Sequence, residues 1–114
     1  MENKKMNTTI TFEFHDGTTA EMTLYFYALY QLRSKNKAMY ERYNRIMGNS
    51  QKGNFDELDM LAILYIAYIC ANPEEPMTEE DFIFKCGCDR KAIGYAFRQL
   101  TQPKKAKDSA NPSS

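Results

Sequence analysis

The chain has 114 residues, 43% of them apolar, and its 15 basic and 15 acidic side chains cancel at neutral pH. That length predicts one domain burying roughly two thirds of its unfolded surface, enough for a core without metal or disulfide. Zero net charge excludes a global field drawing the molecule to nucleic acid or to an anionic membrane.

The N-terminal MENKKMNTT has no apolar run behind its lysines, so it reads as neither signal peptide nor anchor, and a cytoplasmic protein is expected. From Thr8 to Leu24 the periodicity is two. Ile10, Phe12 and Phe14 alternate with Thr11, Glu13 and His15, and Ala20, Met22 and Leu24 alternate with Glu21 and Thr23. This predicts a β-hairpin. A two-residue Asp16-Gly17 turn would set Phe12 opposite Glu21. A His15-Asp16-Gly17 loop with a left-handed glycine instead faces Phe12 with Ala20 and Ile10 with Met22, which keeps one face apolar. His15 is then a loop residue.

Phe26 to Met47 has helical spacing. Leu29, Leu32, Asn36, Met39, Tyr43 and Ile46 step by three and four, the a and d places of a heptad repeat. The stripe is either the core-facing side of an amphipathic helix or a self-association seam, in which Asn36 would fix register between copies of a homo-oligomer. Gly48 is the expected stop, and GNSQKGN a flexible link.

Phe55 to Ala71 is the stretch the rest packs around. It carries no charge from Met60 onward and is apolar on nearly every face, which a helix sustains only when neighbours cover several sides. Asn54 is placed to cap it, with Glu57 in the capping-box position, and Asn72-Pro73 ends it. The uncharged run is shorter than the roughly 17 to 25 residues of a membrane-spanning helix, so a core helix is expected. Thr78 caps a short helix from Glu79 to Cys86, Gly87-Cys88-Asp89 breaks it, and Asp89 caps a last helix from Arg90 to about Thr101 with Ile93, Phe97 and Leu100 on one side. Beyond Pro103, PKKAKDSANPSS is expected to be a disordered polar tail. The fold class is therefore mainly helical α+β: residues 1–102 form one domain, a β-hairpin followed by about four helices around a buried central helix, and 103–114 form the tail.

Charge is banded. Between Arg33 and Lys52 six basic residues meet one acid, between Asp56 and Asp81 eight acids meet no base, and between Lys85 and Lys107 seven bases meet one acid. Neighbouring helices attracting one another, or a basic partner-binding face, would each produce this pattern. The three cysteines, Cys70, Cys86 and Cys88, fit neither a disulfide framework nor a zinc spacing and are expected as buried free thiols. No phosphate loop, nucleophile elbow or histidine pair occurs, so no enzyme, cofactor or metal site is expected. Seven methionines, eight tyrosines and seven phenylalanines exceed what one core helix needs. Tyr27, Tyr30 and Tyr40 lie off the stripe, as either core filler or a partner-binding surface.

The segment TEEDFIFKCGCDRKAIGYAFRQL resembles a DNA-binding helix-turn-helix. With Gly87 as the turn glycine, Phe82, Cys86, Cys88, Ile93 and Ala96 take the buried positions and Arg90, Lys91, Gly94, Tyr95 and Arg98 the groove side. Ile83 stands where a small residue is usual.

The whole chain, over roughly Thr8 to Lys107, resembles the tail assembly chaperones of long-tailed bacteriophages and prophages of Gram-positive hosts. The likeness lies in the order of TITFEFHDGTTAEMTL, FYALYQLRSKNKAMYERYNRIM, MLAILYIAYICANP, MTEEDFIFKC, a last helix and PKKAK. It implies a non-enzymatic protein that coats a tape-measure protein, keeps it soluble and helps bring tail-tube subunits onto it. It also implies a longer form made by frameshifting near the Pro103-Lys104-Lys105 codons.

Overall fold

In a computed structural model, residues 9–74 and 76–102 are described, and they follow the order β1 (Ile10–Glu13), β2 (Thr19–Met22), α1 (Phe26–Lys35), α2 (Lys37–Gln51), α3 (Glu57–Ala71), α4 (Glu79–Cys86) and α5 (Arg90–Thr101). The fold is mainly helical α+β. The tail expected beyond Pro103 and the N-terminal MENKKMNT lie outside the described residues.

The hairpin takes the apolar-matched register. Ile10 pairs with Met22 and Phe12 with Ala20, and Gly17 is left-handed at φ 88°. Asp16 accepts from both the N–H and the hydroxyl of Thr18, at 3.0 and 2.6 Å, and these bonds hold its carboxyl below the usual range. Phe12, Phe14 and Met22 then enter the core on one face.

The single helix expected over Phe26 to Met47 is two. Asn36 leaves helical geometry at φ −149°, and its N–H donates to Leu32 O at 2.7 Å, closing α1. Its side-chain oxygen accepts from Met39 N at 3.2 Å, opening α2. A side chain that caps an N-terminus competes with continuing the helix, and here the cap wins. The expected straight stripe is corrected accordingly. It is not one continuous seam: Leu29, Leu32 and Ile46 are buried in the chain's own core, Met39 and Tyr43 pack half-buried against that core, and Asn36 is the exposed corner. Gly48 does not stop α2, because an interior glycine costs a helix only about 1 kcal/mol relative to alanine. The stop is Gly53, left-handed at φ 77°, whose N–H donates to Ser50 O at 3.0 Å.

The central helix is α3, with Ile63, Leu64, Ile66 and Ala67 at 0% exposure. Its cap is Asp56 rather than Asn54. Asp56 accepts from Asp59 N at 3.0 Å and Asp59 accepts from Asp56 N at 3.1 Å, a reciprocal box that satisfies two end donors and so fixes the start two residues later than expected. At the other end Asn72 ends the helix as predicted, and its Nδ2 donates to Glu21 O and Tyr68 O, each at 2.9 Å, tying α3 to β2.

Thr78 caps α4 and Asp89 caps α5 as the sequence predicts. The connector before α4 is pinned by two tyrosines: Tyr65 Oη donates to Met77 O and Met77 N donates to Tyr68 Oη, both at 2.9 Å. Phe82 at 0% exposure packs on both rings and on Phe14, with centroids 5.4 to 5.6 Å apart. On α5, Ile93, Ala96 and Leu100 are buried, and Phe97 is half-buried with its ring 5.1 Å from that of Phe55. Gly87 between the helices is left-handed at φ 67° and lies against His15, which a Cβ there would approach to 3.0 Å. His15 is thus an exposed loop residue, as predicted, that packs on the α4 end and whose N–H donates to Lys85 O at 2.8 Å. The cysteines divide. Cys86 is buried and Cys70 half-buried, whereas Cys88 is exposed because the turn after Gly87 carries it away from the core, correcting the expectation of three buried thiols.

A candidate partner-binding face

With Ala28, Leu29 and Leu32 of α1 directed to the core, helical spacing turns Phe26, Tyr27 and Tyr30 to solvent. Their exposures are 88%, 59% and 58%, the largest concentration of exposed apolar rings among the described residues. Tyr27 and Tyr30 stack with centroids 6.3 Å apart, and Tyr27 Oη accepts from Gln31 Nε2 at 3.3 Å. The face continues across the Asn36 corner through Arg33, whose Cζ lies 5.9 Å from the Tyr30 centroid and 5.8 Å from that of Tyr40. Tyr40 in turn stacks on Tyr43 at 6.3 Å.

Of the sequence-predicted partner-binding residues, the structure brings Tyr27, Tyr30 and Tyr40 into one band. Tyr27 and Tyr30 are exposed, while Tyr40 is half-buried against the core and marks the inner margin. Burial, with smaller effects from Cys70 and Tyr40, raises the Tyr43 phenol, so its hydroxyl stays neutral over ordinary pH. Two contributors were not singled out from the sequence. A ring at the start of a helix carries no periodic signal, which hides Phe26, whereas the spacing of Arg33 from Tyr30 is the i, i+3 signal of neighbours on one helix surface. Arg33 makes no ion pair among the described residues, so the band carries a cation beside its rings.

A charged pair links α2 to α4. Arg42 of α2 forks onto Glu79 of α4, Nη1 to Oε1 at 2.9 Å and Nη2 to Oε2 at 2.8 Å. Hydrogen bonding to Arg42 holds the Glu79 carboxyl below its usual range, and the same bonds raise Arg42. This pair joins helices and leaves neither group free for chemistry.

The helix-turn-helix alignment finds Phe82, Cys86, Ile93 and Ala96 buried and Arg90, Lys91, Tyr95 and Arg98 exposed along α5. Cys88 departs from it by being exposed, and Arg90 is engaged by Glu57 at 3.2 Å. Among the described residues no group of three or more His, Cys, Asp or Glu could hold a metal ion, and no helix is long and apolar enough to cross a membrane. No family model, curated protein or solved structure matches the chain.

Proposed function

We propose that this protein is a tail assembly chaperone of a long-tailed phage or prophage, acting without catalysis in the bacterial cytoplasm. It binds apolar helical segments of a tape-measure protein, keeps that protein soluble and helps bring tail-tube subunits to it. The observation that carries this reading is the exposure of Phe26, Tyr27 and Tyr30 on α1, with the Arg33 guanidinium beside the Tyr30 ring. Rings left in water at this density mark an interaction surface, because aromatic anchors supply much of the energy of protein interfaces. A cation beside the rings suits amphipathic helices whose polar side is acidic. Co-expression tests it: fragments of a tape-measure protein from a long-tailed phage of a Gram-positive host remain soluble and co-purify with the chain, whereas aggregation in its presence contradicts the proposal.

A second reading, a DNA-binding regulator, is favoured by one observation, the capped α4-Gly87-α5 corner with Lys91, Tyr95 and Arg98 exposed on α5. Salt separates the two. Binding through several phosphates loses orders of magnitude in affinity as salt rises, whereas ring burial against an apolar helix does not.

A further inference from the structure

The hairpin has two edges and the chain treats them differently. In an antiparallel pair, residues whose N–H and C=O face the partner strand alternate with residues whose polar groups point outward. Phe14 N donates to Thr18 O at 2.7 Å, which fixes the phase. Given Phe12 opposite Ala20 and Ile10 opposite Met22, Ile10 and Phe12 bond to β2 while Thr11 and Glu13 turn their backbone groups outward. On β2 the outward groups find α3: Asn72 Nδ2 donates to Glu21 O at 2.9 Å, and Thr23 N donates to Ala67 O at 3.1 Å. On β1 only the end is met, by His15 N donating to Lys85 O at 2.8 Å. Among the described residues no hydrogen bond reaches the outward N–H or C=O of Thr11 or Glu13.

Along this free edge runs a cleft of about 430 Å³, within the roughly 300 to 1,000 Å³ of ligand sites. Strand β1 forms one wall, and Ala92, Tyr95, Ala96 and Gln99 of α5 form the other. We propose that the cleft is a β-augmentation site, which takes an extended segment of another protein as a third strand on β1. Unpaired strand groups beside a cleft recognise extended backbone, and the walls select its side chains. Side chains of an added strand alternate between faces. Those on the Phe12 face meet Ala92, Ala96 and the Tyr95 ring, which suits small apolar residues. Those on the opposite face stand beside Thr11 and Glu13, where the exposed Glu13 carboxylate makes no ion pair among the described residues and favours lysine or arginine. The occupant is therefore an extended segment alternating small apolar with basic residues. This site is separate from the α1 face and stands independently of the proposed chaperone role.

The probe is the hexapeptide acetyl-Lys-Val-Lys-Val-Lys-Val-amide, and the readout is amide hydrogen exchange at Thr11 and Glu13 in the full chain, followed by NMR. Saturating peptide slows exchange at both amides by at least about tenfold. Peptides N-methylated at the lysines or at the valines each block one backbone edge, so one of them slows exchange and the other does not. Glu13→Pro removes an outward N–H without touching the ladder, since proline is accepted on an edge strand, and it abolishes the peptide effect while circular dichroism stays unchanged. Should that variant fail to fold, the methylated pair decides alone. Unchanged exchange at millimolar peptide, or equal effects from both methylated peptides, overturns the proposal. Protection already present in the free chain and lost on truncation after Gln102 also overturns it, because the edge then belongs to the chain's own C-terminal residues.

Discussion

Arg33 of α1 lies over the Tyr40 ring of α2, its Cζ 5.8 Å from the centroid, and so spans the corner that Asn36 makes between the two helices. A guanidinium over a ring contributes about 0.5 to 1 kcal/mol at an exposed site, and its placement depends on the angle of the corner. The cap at Asn36 and the aromatic face are therefore linked: the same turn that stops a straight helix carries Tyr27 and Tyr30 toward Tyr40.

Replacing the cap tests that link. Asn36→Ala leaves the Met39 N–H without its side-chain acceptor and lowers stability by about 1 kcal/mol in urea unfolding. Its sedimentation mass equals that of the unsubstituted chain, because Asn36 holds a corner within one copy. A change of mass would return Asn36 to an interface between copies.

Phe82 is fully buried between Tyr65, Tyr68 and Phe14. Phe82→Ala opens a cavity where α3, α4 and the hairpin meet and costs about 3 to 5 kcal/mol, which thermal unfolding monitored by circular dichroism measures. Phe84→Ala, at a side chain 84% exposed on the same helix, costs less than about 0.5 kcal/mol.

The Arg42–Glu79 pair gives the fold an acid limb. Glu79 titrates lower in the folded chain than its ordinary value of 4.5, chiefly because Arg42 bonds to the carboxylate, so the folded state binds its proton less tightly than the unfolded one. The pair's contribution is thus complete above the unfolded value and is lost as pH falls through the folded value. With side chains 33% and 31% exposed, solvent screening limits it to about 1 kcal/mol. Denaturant midpoints of the parent and of Glu79→Gln should differ at pH 7 and converge as pH falls through the lowered folded value of Glu79.

Thiol labelling discriminates the three cysteines. Burial pushes Cys70 up to about 12 and Cys86 up to about 11, so both stay protonated and shielded in the native chain. Iodoacetamide at pH 8 should modify the exposed Cys88 in the folded protein and reach Cys70 and Cys86 only on unfolding. Rapid native labelling at all three positions would contradict this packing.

Much of the fold was legible because local signals were unopposed. The hairpin register followed from keeping Phe12 away from Glu21, the buried α3 from its lack of charge, and the starts of α4 and α5 from Thr78 and Asp89. Three boundaries went astray where two local signals competed. Asn36 fits a heptad stripe and also a cap, and only the turn of the chain onto α3 decides between them. Gly48 signals a stop that Gly53 supplies, and Asn54 offers a cap that the reciprocal Asp56 and Asp59 pair takes over. Within the candidate face, Tyr27 and Tyr30 were legible as off the stripe. Phe26 was not, since a ring in the first turn of a helix carries no periodic signal, and the contact of Arg33 with Tyr40 was not, since the corner at Asn36 makes it.

The central claim is that the α1 face holds an apolar helical partner. Its most direct test is the soluble yield of tape-measure fragments co-expressed with the chain and with its Phe26→Ser, Tyr30→Ser double variant. Both side chains are mostly exposed, so the variant should keep its melting temperature within a few degrees. The account predicts that the parent chain keeps the fragments soluble and bound and that the equally stable variant lets them aggregate. Equal solubilisation by the two proteins would contradict it.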